Sequence, residues 1–286
     1  MISSLSHPAC DLGEGPTYDR HTDTAWWFDI TGRKLLEHRF ADASTRVHGL
    51  SRAASALARV DATRQVLFTE DGLALRDTAT GALTPLAAIE ADNPQTRSND
   101  ARVHPCGAMW LGTMGWEAQP GAGTIYHYRA GVLTPLFPEI TIPNAICFSP
   151  GGDIGYFADT ARNTVFRVAL DATTGLPTGA PEVWRDSFDG GPDGAVVDSE
   201  GCLLIAIWGG SAVVRYTPDG REGARIDLPV SQPTCPAFIG PEADRLLVTS
   251  AAIGLDTPGS GDRSGDGLCH IVELAVPGLH APDVVI

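Results

Sequence analysis

Six short openings punctuate the chain, and each centres on a side chain that carries oxygen. They are Gly13-Glu14-Gly15-Pro16, Leu50-Ser51-Arg52, Ser98-Asn99-Asp100, Pro143-Asn144-Ala145, Pro192-Asp193-Gly194 and Pro233-Thr234-Cys235. From Glu14 through Ser51, Asn99, Asn144, Asp193 and Thr234 the steps are 37, 48, 45, 49 and 41 residues. Taken as equivalent repeat positions, they bring together two carboxylates and two carboxamides, with two hydroxyls completing a ring. Such a hard, doubly negative oxygen site suits Ca²⁺, Mg²⁺ or Mn²⁺, and also accepts zinc or ferrous iron. Without a cation the carboxylates repel, and one tends to stay protonated. Asn and Asp open turns throughout proteins, so no single opening argues for a metal. The recurrence does.

The elements that must position these residues are short strands. Ala25–Ile30, Gln65–Thr69, Ala108–Gly112, Gly155–Ala158, Cys202–Ala206 and Arg245–Thr249 are rich in aromatic and aliphatic residues, and each follows a turn built from Asp, Gly, Pro or Arg. No segment keeps a helical period, and Ser51–Val60 reads as an alanine-rich strand. Six units of about 45 residues, each of about four strands, predict a six-bladed β-propeller spanning 1–286 as one domain. A pair of β-sandwiches would account for the strands but not for the recurring openings.

Several chemistries are excluded. Lys34 is the sole lysine, so Schiff-base or P-loop catalysis would have to pass through one residue in a turn-like stretch. The eight histidines show no H-E-x-x-H spacing, and no G-x-S-x-G occurs. The six cysteines are scattered, which points to buried thiols rather than disulfides or a zinc site. Asp29 and Asp159 end strands and read as turn caps. The run from Asp256 to Gly267 lacks the acidic spacing and closing Glu of a calcium loop and reads as a surface loop.

Across 286 residues, 35 acidic and 20 basic side chains give a formal charge of −15, against nucleic acid or an anionic membrane as partner. The opening MISSLSHPAC has no basic start and apolar run, and no apolar stretch approaches membrane-spanning length, so a cytoplasmic location is expected. The 32 glycines and 21 prolines fit a chain dominated by turns.

The motifs Leu12-Gly13-Glu14-Gly15-Pro16, Arg97-Ser98-Asn99-Asp100, Gly112-Thr113-Met114, Ile142-Pro143-Asn144-Ala145, Tyr156-Phe157-Ala158-Asp159 and Pro192-Asp193-Gly194 stand in order along nearly the whole chain. In this the chain resembles the SMP-30/gluconolactonase/regucalcin-like family of six-bladed propellers. The resemblance implies one divalent metal ion (Ca, Zn, Mn, Mg or Fe(II)) held by Glu14, Asn144 and Asp193. It makes Asn99 either a fourth ligand or a substrate contact, and Arg97 and Glu117 contacts to sugar hydroxyls. The expected reaction is hydrolysis of a sugar lactone, such as a glucono-, xylono-, arabino- or galactonolactone, to the aldonic acid. The metal would serve as Lewis acid and Asp193 as general base. A phosphotriesterase or esterase on the same ring, and a non-enzymatic calcium-binding propeller, are the competing expectations. Outside the resemblance, Arg97 reads equally as half of a surface ion pair and Glu117 as a solvated side chain. Trp116 either stacks on a sugar face or anchors its loop. Two departures stand out: Ala145, where glycine usually follows the asparagine, is expected to reshape the site floor, and Ser98 to alter the ring size or epimer accepted.

Overall fold

In the computed structural model, which describes residues 2–255 and 265–286, six four-stranded antiparallel sheets follow one another along the chain. Each innermost strand packs on the next and the sixth packs on the first, which closes a six-bladed β-propeller. The innermost strands are Gly13–Asp19, Ala54–Arg59, Thr96–Val103, Pro143–Phe148, Gly191–Val197 and Gln232–Ile239. The six apolar runs read from the sequence become the second strands of the blades, from Thr24–Asp29 to Arg245–Ala251. Among the described residues the only helical element is a 3₁₀ turn, Thr160–Arg162.

The second strands read as continuous apolar runs because each is covered on both faces. In blade 1, Trp26 and Phe28 join the core shared with blade 2, while Ala25 and Trp27 face blade 6. Trp27 and Phe28 are fully buried, and burial of such a side chain contributes about 1.5–3 kcal/mol. Blade 6 is completed from the other end of the sequence. Ile2–Ser4 pairs antiparallel with His270–Glu273, so the ring is held shut by strand hydrogen bonds.

All six innermost strands break register near their start. The breaks fall between Glu14 and Thr17, Ala54 and Ala56, Ser98 and Ala101, Asn144 and Cys147, Pro192 and Ala195, and Pro233 and Pro236. A bulge leaves residues unpaired and re-aims their side chains, which is why the openings are rich in Gly, Pro, Asn and Asp. One expectation is corrected here. Ser51 is exposed and lies before the blade 2 strand, whereas Ser55 occupies the bulge. The alanine-rich register of that strand hid the equivalent position.

Residues outside the bulges take structural roles. Lys34 pairs with Asp29 at 3.1 Å, and Asp29 also accepts from the Leu12 and Gly32 amides. Asp159 accepts from Thr141 and Ile142, as a turn cap should. The six cysteines are free thiols, five of them buried. Residues 256–264 of the loop considered as a calcium site lie outside the described residues, while Asp266 accepts from the Ser231 amide.

His104 carries a pH consequence. Its Nδ1 accepts from the Cys106 amide at 3.1 Å and its Nε2 donates to Gly152 O at 2.8 Å, which selects the neutral ring. Burial holds its pKa below the ordinary 6.5. The unfolded chain therefore binds the extra proton first, and the stability His104 contributes is present above pH 6.5 and lost as pH falls below it. Relative to a His104→Gln variant, wild-type Tm is expected to drop between pH 7 and 5.5. The loss is at most about 1.4 kcal/mol per pH unit. A Tm difference that stays constant over this range would disprove the assignment.

Candidate metal and substrate site

Glu14 and Asn144 stand on opposite blades, 1 and 4, and share one local geometry. Each is the last paired residue before its bulge, and each is followed by a left-handed residue, Gly15 at φ +56° and Ala145 at φ +49°. At Gly15 a side chain is excluded twice, by the left-handed backbone and by Ser55 O, which a Cβ would strike. Asn99, Asp193 and Thr234 are instead the first unpaired residues of their bulges. Gly194 follows Asp193 because a Cβ there would collide with Cys235 of the next blade. Bulge geometry thus delivers all five side chains to the same end of the axis.

A hydrogen-bond chain ties three blades together at this end. Arg97 donates through Nη1 to Asn99 Oδ1 (2.8 Å), and Asn99 Nδ2 donates to Asn144 Oδ1 and to Pro143 O, both at 2.9 Å. Asn144 Nδ2 in turn donates to Thr160 Oγ1, which donates to Pro192 O at 2.7 Å. Reversing the Asn99 amide would set its oxygen against two acceptors and its nitrogen against a donor, so the network fixes its orientation. Asn144 Oδ1 has a second lone pair, and that pair remains available to a cation. Thr234 differs from the others: it is fully buried and donates to Gly13 O, serving the blade 6–blade 1 seam.

The electrostatics are those of a site short of positive charge. Desolvation first, and then the Asp100 carboxylate, push Glu14 up to about 8. Desolvation, Glu14 and Asp100 raise Asp193 well above the usual carboxylate range. Arg97, 7% exposed, is lowered to about 10 by its own burial, against the pull of Glu14 and Asp193, and it stays charged at neutral pH. Among the described residues no three His, Cys, Asp or Glu side chains are grouped to hold a metal. A ligand set built here would add the Asn144 carboxamide to Glu14 and Asp193. Mutually repelling carboxylates with a carboxamide oxygen form a donor set that fits a hard divalent cation.

Two charged residues here were not singled out from the sequence. Asp100 lay inside a quoted opening, yet only the fold shows it buried beside Glu14 and Asp193. Arg102 sits deeper and donates to Ala195 O of blade 5 at 3.0 Å and to Cys235 Sγ of blade 6 at 3.5 Å. Nothing in its local pattern marks it.

Across the mouth, the Arg97 guanidinium lies 5.6 Å from the centroid of Trp116. Trp116 is half-buried against the apolar core between blades 1 and 2, so it buttresses Arg97 as well as anchoring its loop. Among the described residues Arg97 forms no ion pair within 4 Å, and it is buried rather than at the surface. Glu117 lies on the loop after the second strand of blade 3, at this same end, and is exposed. Its amide donates to Gln119 Oε1.

The profile of the SMP-30/Gluconolactonase/LRE-like region matches residues 12–252. The chain belongs to this family. A protein of Rhizobium meliloti described as a sugar lactone lactonase is 50% identical over 255 residues, covering 88% of this chain and 86% of its own. An L-arabinolactonase of Azospirillum brasilense is 34% identical, covering 94% and 90%. Among solved structures, a calcium-binding regucalcin from Agrobacterium tumefaciens superimposes with a TM-score of 0.96 at 49% identity, covering 99% and 97%.

Within this SMP-30/gluconolactonase framework the side chains of the two departures sit in packing positions. The Ala145 methyl joins the buried core between blades 4 and 5, at the expense of a left-handed backbone that costs about 1 kcal/mol or more. Ser98 is buried and its Oγ donates to Phe68 O. It belongs to the wall between blades 2 and 3.

Proposed function

We propose that this propeller is a divalent-metal-dependent sugar lactonase, opening an aldonolactone to the aldonic acid. Glu14, Asn144 and Asp193 would hold the ion. The observation that carries this reading is the pair of mutually repelling carboxylates, half-buried Glu14 and buried Asp193, with a free carboxamide lone pair on Asn144. The lactonase descriptions of relatives covering most of the chain supply the substrate class. Residues of blades 1, 3, 4 and 5 build the site together, so the chain acts as one domain.

When bound, the cation supplies Lewis-acid polarisation of a lactone carbonyl and charge balance for the ring. Asp193 accepts the proton of the attacking water on the carboxylate oxygen that is not engaged as a ligand. A carboxylate engaged through both oxygens would be too weak a base. A lactone is an activated ester, so a modest base suffices. Arg97 donates to a substrate hydroxyl or to the ring oxygen, and Glu117 accepts from hydroxyls at the rim. Asn99 spends its amide on Asn144 and Pro143, which makes it the link that holds Arg97 in register with a metal ligand.

The deciding experiment is titrimetric acid release from a panel of glucono-, xylono-, arabino- and galactonolactones, with the protein stripped and reloaded with defined metals. No metal-dependent acid release from any lactone would end the lactonase reading. Metal binding without turnover would leave a calcium-binding propeller. Arg97→Lys keeps the charge but loses the planar guanidinium whose Nη1 donates to both Asn99 Oδ1 and Ser98 O. It is expected to raise KM about tenfold with a smaller change in kcat. An unchanged KM would remove Arg97 from substrate contact.

A further inference from the structure

The opposite mouth of the propeller holds a cavity of about 500 Å³. Its walls are the outgoing ends of the innermost strands, including Phe148, Val196, Val197, Ala237 and Phe238. Arg102 lines its floor, and Arg20, His280 and Glu242 stand in its lining as well. In a chain of formal charge −15 this lining carries two arginines and a histidine against one carboxylate. That inversion of the molecule's charge balance is local, and it sits around an apolar well.

Part of the wall is a strap. Beyond blade 6 the chain runs across this mouth and bonds to five blades in turn. Pro277 O accepts from Ser199 of blade 5, and the Gly278 amide donates to Ala243 O of blade 6. His280 stacks on Tyr18 of blade 1, and the Val284 amide donates to Arg59 O of blade 2. The Val285 amide then donates to Gly107 O of blade 3. Gly278 lies flat on Phe238, where any Cβ would collide with the ring. The strap places residues 278–282 in the cavity lining.

Arg102 faces this space with donors to spare. Its Nη2 is spent on Ala195 O and Cys235 Sγ, and its Nε reaches Ile146 O at 3.4 Å. Nη1 takes part in none of these bonds, and the Asp100 carboxylate, which attracts the Arg102 charge, stands outside the cavity lining. A pocket of a few hundred Å³ with apolar walls and a few convergent polar groups is the usual form of a small-molecule site. A guanidinium at its floor selects a carboxylate head.

We infer that the far mouth is a second binding site, for a small monocarboxylate with an apolar body, its head on Arg102 and its body against Phe148, Val196 and Phe238. The site is separate from the Glu14–Asn144–Asp193 ring, and this inference does not depend on the lactonase reading.

Calorimetric titration of the whole protein with octanoate, 1-octanol and inorganic phosphate tests it. Octanoate should bind one to one, at least about tenfold more tightly than 1-octanol, with phosphate giving no saturable heat. Arg102→Gln should lower octanoate affinity to that of 1-octanol. Because Arg102 is wedged among three blades, a second variant, Ala237→Phe, fills the cavity from its wall without touching the floor. It should cut octanoate affinity at least about tenfold with an unchanged circular dichroism spectrum. Asp193→Asn should leave octanoate binding as it is. Absent octanoate binding, equal affinity for 1-octanol, or undiminished binding in Ala237→Phe would each overturn the proposal. So would loss of binding in Asp193→Asn, which would move the carboxylate to the other mouth.

Discussion

Asp193→Asn is expected to lower lactone turnover by about a thousandfold or more while the propeller stays folded. The substitution keeps the shape of the side chain and removes both a ligand charge and the only carboxylate oxygen assigned to take the water proton. Loss of a positioned base alone costs about 10²–10⁴-fold, and weakened metal retention adds to it. The fold should not suffer. Asp193 is buried among Glu14 and Asp100, and its carboxyl is held well above its ordinary range by desolvation and by those two charges. A neutral amide relieves that repulsion, so the metal-free variant should melt no lower than the metal-free wild type. Turnover within tenfold of wild type at saturating metal would remove Asp193 from the mechanism. A collapsed Tm would show that it acts through structure.

The second large effect is metal removal. Stripping the protein with a chelator should abolish acid release, and adding back a divalent cation should restore it. The physical reason is the charge balance at the mouth. Glu14 is pushed up to about 8 and Asp193 higher than usual, so the stripped ring holds carboxylates that resist ionising together at neutral pH. A divalent ion lets both ionise and gains their attraction. Binding should therefore stabilise the fold, by about 2.7 kcal/mol at a hundred times Kd. For a chain of this size that is a rise in Tm of roughly 5–10 °C. The rise should vanish in Asp193→Asn and shrink sharply in Glu14→Gln. Full activity in protein shown by elemental assay to be free of metal would refute the metal requirement outright.

Much of this was legible in the chain because the relevant signals are local. A bulge needs Gly, Pro, Asn or Asp within a few residues, and a strand covered on both faces needs a short apolar run. Six such pairs in a row are visible without any knowledge of contacts. The ring members Glu14, Asn99, Asn144 and Asp193 follow from that repeat. Blade 2 shows the limit of the method. Ser51 and Ser55 both qualify by type, and only the fold shows that the strand starts at Ala54, leaving Ser51 outside it and Ser55 in the bulge.

The repeat and the six-bladed architecture were therefore determined by the sequence alone, since turn chemistry and strand periodicity are written within spans of a few residues. Tertiary structure decided what depends on meetings across the ring. Ile2–Ser4 completes a blade with His270–Glu273, and Arg102 reaches three other blades. Asp100 joins Glu14 and Asp193 in one charge cluster, and residues 277–285 strap the far mouth to five blades. Each of these contacts joins residues far apart in sequence, and its energy comes from burial that exists only once the six blades have closed.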